Sequence, residues 1–140
     1  MRSAVCAERI AGSNPLGSIV NVPRVSRLSA PLVALQGENI ADLGGIQLGW
    51  DAFTKTKEYK EGKPVGGLTP AQRYFIGWAL SWMNQIRPEN LAMRVKTDVH
   101  APSFLRVIGP VSNMPEFYQA YGVMAGDPMY RADSARVKIW

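Results

Sequence analysis

The chain has 140 residues and a formal net charge of +5, from 16 Lys and Arg against 11 Asp and Glu. An apolar fraction of 46% suits one folded domain and excludes wholesale disorder. The sequence holds one cysteine, Cys6, and one histidine, His100. These counts exclude an internal disulfide framework, a structural Cys/His zinc site and a catalytic metal site built from two histidines of this sequence.

The charge pattern indicates neither a membrane segment nor a nucleic-acid surface. No apolar run approaches the roughly 18 residues that cross a bilayer, and Glu8 and Arg9 interrupt the stretch where a signal peptide needs its apolar segment. We therefore expect no export signal and no membrane anchor. Residues 1–37 hold four arginines and one glutamate, but no basic stripe forms and the aromatic residues do not alternate with Arg or Lys. This pattern argues against nucleic-acid binding.

The composition divides the chain into two unequal parts. All thirteen aromatic residues lie from position 50 onward, whereas three prolines interrupt the first 31 positions. We predict an irregular leader of unclear origin over residues 1–34, with a short extended piece at residues 18–22. Residues 35–140 are predicted to form a mainly α domain, with helices joined by Pro/Gly turns.

The first helix is predicted from near Glu38 to about Thr56, since apolar residues recur there at helical spacing. Its Gly44-Gly45 pair costs roughly 1 kcal/mol per glycine relative to alanine, which suggests a tightly packed neighbour at that point. The next stretch, residues 55–67, is charged and rich in glycine, so we expect a solvated loop.

The second helix has the clearest start signal. Thr69 can cap it, Pro70 suits the first helical position, and Gln72 completes a capping box. Trp78 and Trp82 lie four apart on its apolar stripe, and we interpret them as core residues rather than as ligand-binding ones. Four further elements are predicted: a helix over residues 89–97, an extended segment over 104–108, a helix over 115–121 ended by glycine, and a terminal strand over 136–140.

Two acidic residues on the first helix form the strongest local signal. Glu38 and Asp42 are four apart, so their carboxylates project from the same helical face one turn apart. Like charges at that spacing repel unless a positive group lies beside them. A metal ion with a metal-bound histidine would satisfy both carboxylates. The alternative is a solvated acidic edge near a helix N-terminus, where acids are favoured. Spacing alone favours this second alternative without excluding the first.

A second cluster combines Asp98, His100 and Arg106. A carboxylate two residues from a histidine can hold the imidazole and favour its protonated form. With Arg106, the pair would place hydrogen-bond donors where an oxyanion develops. The alternative is a partly exposed histidine in a proline-containing turn, beside an ordinary surface arginine.

Seven short segments stand out between residues 38 and 140. In chain order they read E-N-I-A-D-L-G-G (38–45), L-T-P-A-Q-R (68–73), D-V-H-A-P (98–102), R-V-I-G-P (106–110), S-N-M-P-E-F (112–117), G-D-P-M-Y (126–130) and R-V-K-I-W (136–140). Taken together they resemble one known family, the neprilysin-like zinc metallopeptidases, over roughly residues 35–140. The resemblance implies the C-terminal helical part of a thermolysin-like (gluzincin) catalytic domain.

The resemblance also implies a role for each matching residue. Glu38 corresponds to the glutamate that ligates zinc, and Asp42 to the carboxylate that orients a zinc-binding histidine. His100 is similar to the histidine that stabilises the tetrahedral oxyanion, with Asp98 holding it. Arg106 matches the arginine that donates hydrogen bonds to a substrate backbone carbonyl. In the family, zinc polarises the scissile carbonyl and activates water, and a glutamate accepts the water's proton.

The sequence departs from the family at one decisive point. The H-E-x-x-H helix, which supplies two zinc ligands and the general base, is absent from the sequence. We therefore predict a truncated metallopeptidase, either a fragment or a mis-started gene product, which retains no zinc and is inactive alone.

Two other function classes stay open: a non-catalytic helical binding module, and a fragment that complements a separately encoded piece of a split peptidase. The resemblance implies peptide substrates, and we also expect self-association through apolar surface left uncovered. Family members are mostly periplasmic, envelope-associated or membrane-anchored, whereas the sequence gives no localisation for this chain.

Overall fold

The computed structural model describes residues 32–139, with side chains from residue 37. Six helices follow one another, and a 3₁₀ turn comes after them. They are α1 (Leu32–Phe53), α2 (Lys57–Glu61), α3 (Pro70–Ser81), α4 (Pro88–Thr97), α5 (Ser103–Val111), α6 (Pro115–Tyr121) and the turn Asp133–Ala135.

This helical architecture confirms the mainly α prediction, and no strand occurs between residues 32 and 139. The described part holds no helix that is both long and apolar enough to cross a membrane. The leader predicted over residues 1–34 lies almost wholly outside the described residues, as does its extended piece at 18–22.

Local signals placed several elements well. The capping box of α3 is present, because the Thr69 side chain accepts from the Gln72 N–H at 3.2 Å and Gln72 Oε1 accepts from the Thr69 N–H at 3.0 Å. Helix α6 ends at Gly122, which has a left-handed φ of 67°. Helix α1 begins at Leu32, six residues before the predicted start, and three of its first four residues, Leu32, Ala34 and Leu35, are good helix formers. The predicted loop over 55–67 is exposed but contains the short helix α2.

Two of the sequence predictions are wrong. Residues 104–108 are helical, within α5, and not extended. Pro110 lies inside the last turn of this helix, where its missing N–H would leave the carbonyl of Arg106 without a donor. The indole Nε1–H of Trp78 donates to that carbonyl at 3.2 Å, so α5 tolerates the proline. The terminal strand is also not observed, because residues 136–139 run irregularly with no strand beside them.

The core forms where α1 and α3 meet the end of α5 and the start of α6. Six buried residues build it: Leu43, Ile46, Trp50, Phe75, Val111 and Met114. At its centre Trp50 stacks on Phe75, with ring centroids 5.2 Å apart and an angle of 20° between the planes. Trp78 packs against this cluster, as expected of a core residue. Trp82 instead lies against the side chain of Arg106.

Close packing against α1 is seen at Gly49, four residues after the Gly44-Gly45 pair, of which Gly44 is itself buried. A Cβ added at Gly45 would meet no atom within 4 Å among the described residues. A Cβ at Gly49 would lie 2.6 Å from the Tyr74 hydroxyl oxygen. That hydroxyl donates to the carbonyl of Ile46 at 2.6 Å, so it is fixed and cannot move aside freely. Gly49 therefore allows α3 to approach α1.

The two glycines offer a matched test of this packing. Gly45→Ala should stabilise the chain by roughly 1 kcal/mol, because alanine is the better helix former. Gly49→Ala should destabilise it by roughly 1–3 kcal/mol, because the new methyl group overlaps the Tyr74 hydroxyl. Urea unfolding followed by circular dichroism measures both changes. Tyr74→Phe in the Gly49→Ala background should recover part of the loss, and equal stability of the two alanine variants would contradict the packing.

Candidate functional site

All five residues singled out in the sequence meet at one place. Helix α1 contributes Glu38 and Asp42, the connection between α4 and α5 contributes Asp98 and His100, and the first turns of α5 contribute Arg106. Asp42 is joined to Arg106 across 64 positions of sequence, so the site depends on how α1 and α5 pack.

Arg106 supplies the positive group that the two carboxylates of α1 require. Its Nε–H and NH2 donate to the two carboxylate oxygens of Asp42 at 2.6 and 2.7 Å, and NH2 lies 3.7 Å from Glu38 Oε2. Asp42 is 7% exposed and the Arg106 side chain 13%. Asp42 is therefore not part of a solvated acidic edge, and Arg106 is not an ordinary surface residue.

The pairing with Asp42 also changes the pKa of the Arg106 guanidinium. The hydrogen bonds to Asp42 raise the pKa of Arg106 above its usual value, and the nearby charges of Asp42 and Glu38 act in the same direction. Arg106 thus keeps its positive charge in this partly buried position.

Asp98 is held by groups on both sides of it in sequence. Its Oδ2 accepts from Arg94 Nε at 3.0 Å and from Arg94 NH2 at 2.7 Å. Its Oδ1 accepts from the His100 backbone N–H at 2.9 Å and lies 2.7 Å from His100 Nδ1. Hydrogen bonds from Arg94, followed by those from His100, hold the pKa of Asp98 well below its usual range. Arg94 is not among the site residues predicted from sequence, although its i, i+4 spacing from Asp98 on a helix is typical of an ion pair.

His100 lies between two carboxylates. Nδ1 faces Asp98, and Nε2 is 3.3 Å from Glu38 Oε2. The side chain is 39% exposed, and Glu38 is the group that faces Nε2. Asp98 therefore holds one edge of the ring, while the opposite edge points toward the carboxylate of Glu38.

Trp82 also contributes to this site, although its position on the apolar stripe of α3 predicted a core residue. The guanidinium carbon of Arg106 lies 4.0 Å from the centroid of the Trp82 ring. No spacing rule relates position 82 to position 106, so only the packing of α3 against α5 brings the two together.

Known proteins share much of this sequence and of this helical arrangement. The sequence model of peptidase family M13 matches residues 24–137. The chain belongs to peptidase family M13. The neutral endopeptidase of Lactococcus lactis is 39% identical over 103 residues, and the mouse membrane metallo-endopeptidase-like 1 is 38% identical over 107 residues. The solved structure of the Mycobacterium tuberculosis zinc metalloprotease Zmp1 in its open state superposes with a TM-score of 0.65 at 36% identity.

The chain spans a small part of these M13 relatives. About 74% of it matches 14–15% of the two enzymes and 16% of the Zmp1 chain. The resemblance stated from the sequence motifs is thereby confirmed at the level of the family and of the helical fold.

The M13 relative Zmp1 is a zinc metalloprotease, but the described residues of this chain do not form a zinc-binding site. No group of three His, Cys, Asp or Glu side chains in the described part could hold a metal ion. Glu38, the residue matched to a zinc ligand, has its carboxylate beside His100 and the cationic Arg106. A catalytic zinc site requires three protein ligands, and the described residues do not supply them together.

The depressed pKa of Asp98 predicts acid-sensitive stability. A carboxyl that ionises more readily in the folded chain adds stability above its unfolded pKa of about 3.9, and this stability is lost as the pH falls below about 4. Asp98→Asn should lower stability at pH 6 and should flatten the decline between about pH 4 and pH 2. Urea unfolding at each pH measures this, with Asp51→Asn, at an exposed position of α1, as the control. If the stability of the parent and of Asp98→Asn fell in parallel with pH, the acid-sensitive stability would not come from Asp98.

Proposed function

We propose that this chain forms the oxyanion-binding and peptide-binding side of an M13 zinc endopeptidase site, in which water hydrolyses a peptide bond. The observation that carries the proposal is the convergence of five residues into one charged cluster: the hydrogen-bonded pairs Asp98–His100 and Asp42–Arg106, with Glu38 between them at 3.3 Å from His100 and 3.7 Å from Arg106. The Asp42–Arg106 pair fixes the cluster to α1 and α5.

Two side chains act on the substrate in this proposal. His100, with its ring held by Asp98 at Nδ1, donates from Nε2 to the oxygen that becomes negative as water adds to the scissile carbonyl. Arg106 donates to a backbone carbonyl of the bound peptide and so orients it. Asp42 keeps the guanidinium of Arg106 in place, and each of its oxygens retains a lone pair for a further donor.

Glu38 is the residue that we assign to zinc. It is also the cluster carboxylate with the longest contacts, 3.3 Å to His100 and 3.7 Å to Arg106. We propose that Glu38 ligates zinc only where another polypeptide segment supplies further ligands and a general base. By itself the chain is then inactive and retains no zinc.

Zinc retention and peptide cleavage test this proposal together. The purified chain is dialysed with zinc at micromolar concentration, and bound metal is measured alongside cleavage of a quenched fluorescent peptide. We expect no stoichiometric zinc and no cleavage, and Glu38→Gln should behave as the parent does. Stoichiometric zinc with chelator-sensitive cleavage that Glu38→Gln abolishes would overturn it.

One observation favours the second candidate, a fragment that complements a split peptidase. Helix α1 exposes apolar side chains, with Ile40 50% and Leu48 60% exposed, and Gly45 on the same helix is open. An amphipathic surface helix normally turns such residues toward the core. We propose that this surface is covered by a second polypeptide, and by another copy of the chain when no partner is present. A non-catalytic helical binding module would use the same surface.

Self-association through α1 is measured by light scattering. The parent chain should give an average mass above that of the monomer, because the exposed apolar surface is buried between copies. Leu48→Glu should shift the population toward monomer. Met83→Glu, which alters a more exposed apolar residue outside α1, should not. A monomeric parent with a cooperative melt would contradict the proposal.

A further inference from the structure

Trp82 follows the last residue of α3 and lies against the arginine of the candidate site. The Arg106 guanidinium carbon is 4.0 Å from its ring centroid. At this distance the face of the indole attracts the cation. Trp78, one turn earlier, has its ring centroid 6.0 Å from that of Trp82.

The two tryptophans hold different parts of Arg106. Trp78 donates from Nε1 to the backbone carbonyl of Arg106, the acceptor that Pro110 leaves unused. Trp82 covers the guanidinium through its ring. One end of α3 therefore supports both the backbone and the side chain of this residue.

The hydrogen-bond donors of Arg106 are only partly used. Of the N–H groups of a guanidinium, Nε–H and one on NH2 donate to Asp42. Among residues 37–139, no acceptor takes a hydrogen bond from NH1 of Arg106, and Glu38 is 3.7 Å from NH2. A ring stacked on a guanidinium occupies the π-face and leaves donors in the plane available. Asp42 thus fixes one edge while the NH1 edge stays available.

We propose that Trp82 is a positioning residue for Arg106, which holds the guanidinium plane so that its NH1 edge presents donors to a peptide carbonyl. The inference rests on the proposed function, in which Arg106 binds the substrate backbone. Asp42 alone fixes two donors at one edge and leaves the plane free to tilt about that edge. The Trp82 ring removes that freedom.

The positioning role is measured on Arg106 itself by NMR of the arginine-labelled chain. The readouts are the Nε–H chemical shift and the rate of rotation about the Nε–Cζ bond. Trp82→Leu should raise the rotation rate about threefold or more and move the shift, because the aromatic face is lost. Trp82→Phe should give values between those of the parent and Trp82→Leu, because phenylalanine attracts a cation less strongly than tryptophan does. Met83→Leu, at the adjacent exposed position, should change neither readout.

Fluorinated tryptophan at position 82 tests the same role in a protein that keeps the indole ring, and so does not depend on whether Trp82→Leu folds. Successive fluorine substitutions keep the ring size while withdrawing electron density from its face, so they weaken the attraction for a cation stepwise. We expect the rotation rate to rise with each fluorine. A role confined to core packing would leave the rate unchanged across the series, and that result would overturn the proposal.

Peptide binding is followed in the same spectra with N-acetyl-glycyl-phenylalaninamide as the probe. The probe should shift the Arg106 side-chain signals of the parent. Trp82→Leu should weaken its binding roughly fivefold, and Trp82→Phe should restore most of it. No probe-induced shift in the parent would contradict the proposed function, whereas an unchanged rotation rate in the Trp82 variants would contradict the positioning role.

Discussion

The bidentate pair between Asp42 and Arg106 is the interaction on which the site depends. Asp42 lies beside the core residue Leu43 on α1 and is itself buried. A carboxylate in such a position must be paired, since breaking a buried ion pair by removing one partner costs about 3–5 kcal/mol. The pair therefore sets the register of α1 against α5. Because Glu38 lies one helical turn from Asp42, that register also places Glu38 beside His100.

Helix α3 connects this pair to the core. Its Phe75 stacks on Trp50 at the centre of the core, whereas Trp78 and Trp82, further along, hold Arg106. The geometry of the guanidinium is consequently tied to the same helix that Gly49 allows to approach α1. A change in α1–α3 packing would reach the site through α3 without altering any residue of the charge cluster.

The elements that could be predicted from sequence are those fixed by local hydrogen bonds. The capping box of Thr69 and Gln72 and the glycine that ends α6 involve groups within a few residues of each other, and both are as expected. The extent of helix α5 is harder to predict, since the carbonyl that its proline leaves without a backbone donor accepts a hydrogen bond from Trp78, 28 positions earlier.

The site, too, could be predicted only as far as local spacing allows. Helical spacing placed Glu38 and Asp42 on one face, and it indicated that a positive group was needed beside them. Spacing did not identify that group, because Arg106 is 64 positions away from Asp42. The motif resemblance named five residues that the structure brings together, while the burial of Asp42 and the contact between Trp82 and Arg106 required the packed structure.

The charge cluster has fixed members and one that is more weakly held. Asp42 receives bonds of 2.6 and 2.7 Å from Arg106, and Asp98 receives bonds of 2.7 to 3.0 Å from Arg94 and His100. Glu38 has only the contacts at 3.3 and 3.7 Å, and its side chain is the most exposed of the three carboxylates at 42%. Moving Glu38 therefore breaks no buried pair, whereas moving Asp42 would break its buried pair with Arg106, and moving Asp98 would break its hydrogen bonds to Arg94 and His100. A ligand that draws Glu38 away would leave His100 held by Asp98 and Arg106 held by Asp42, with their outward donors available to a peptide.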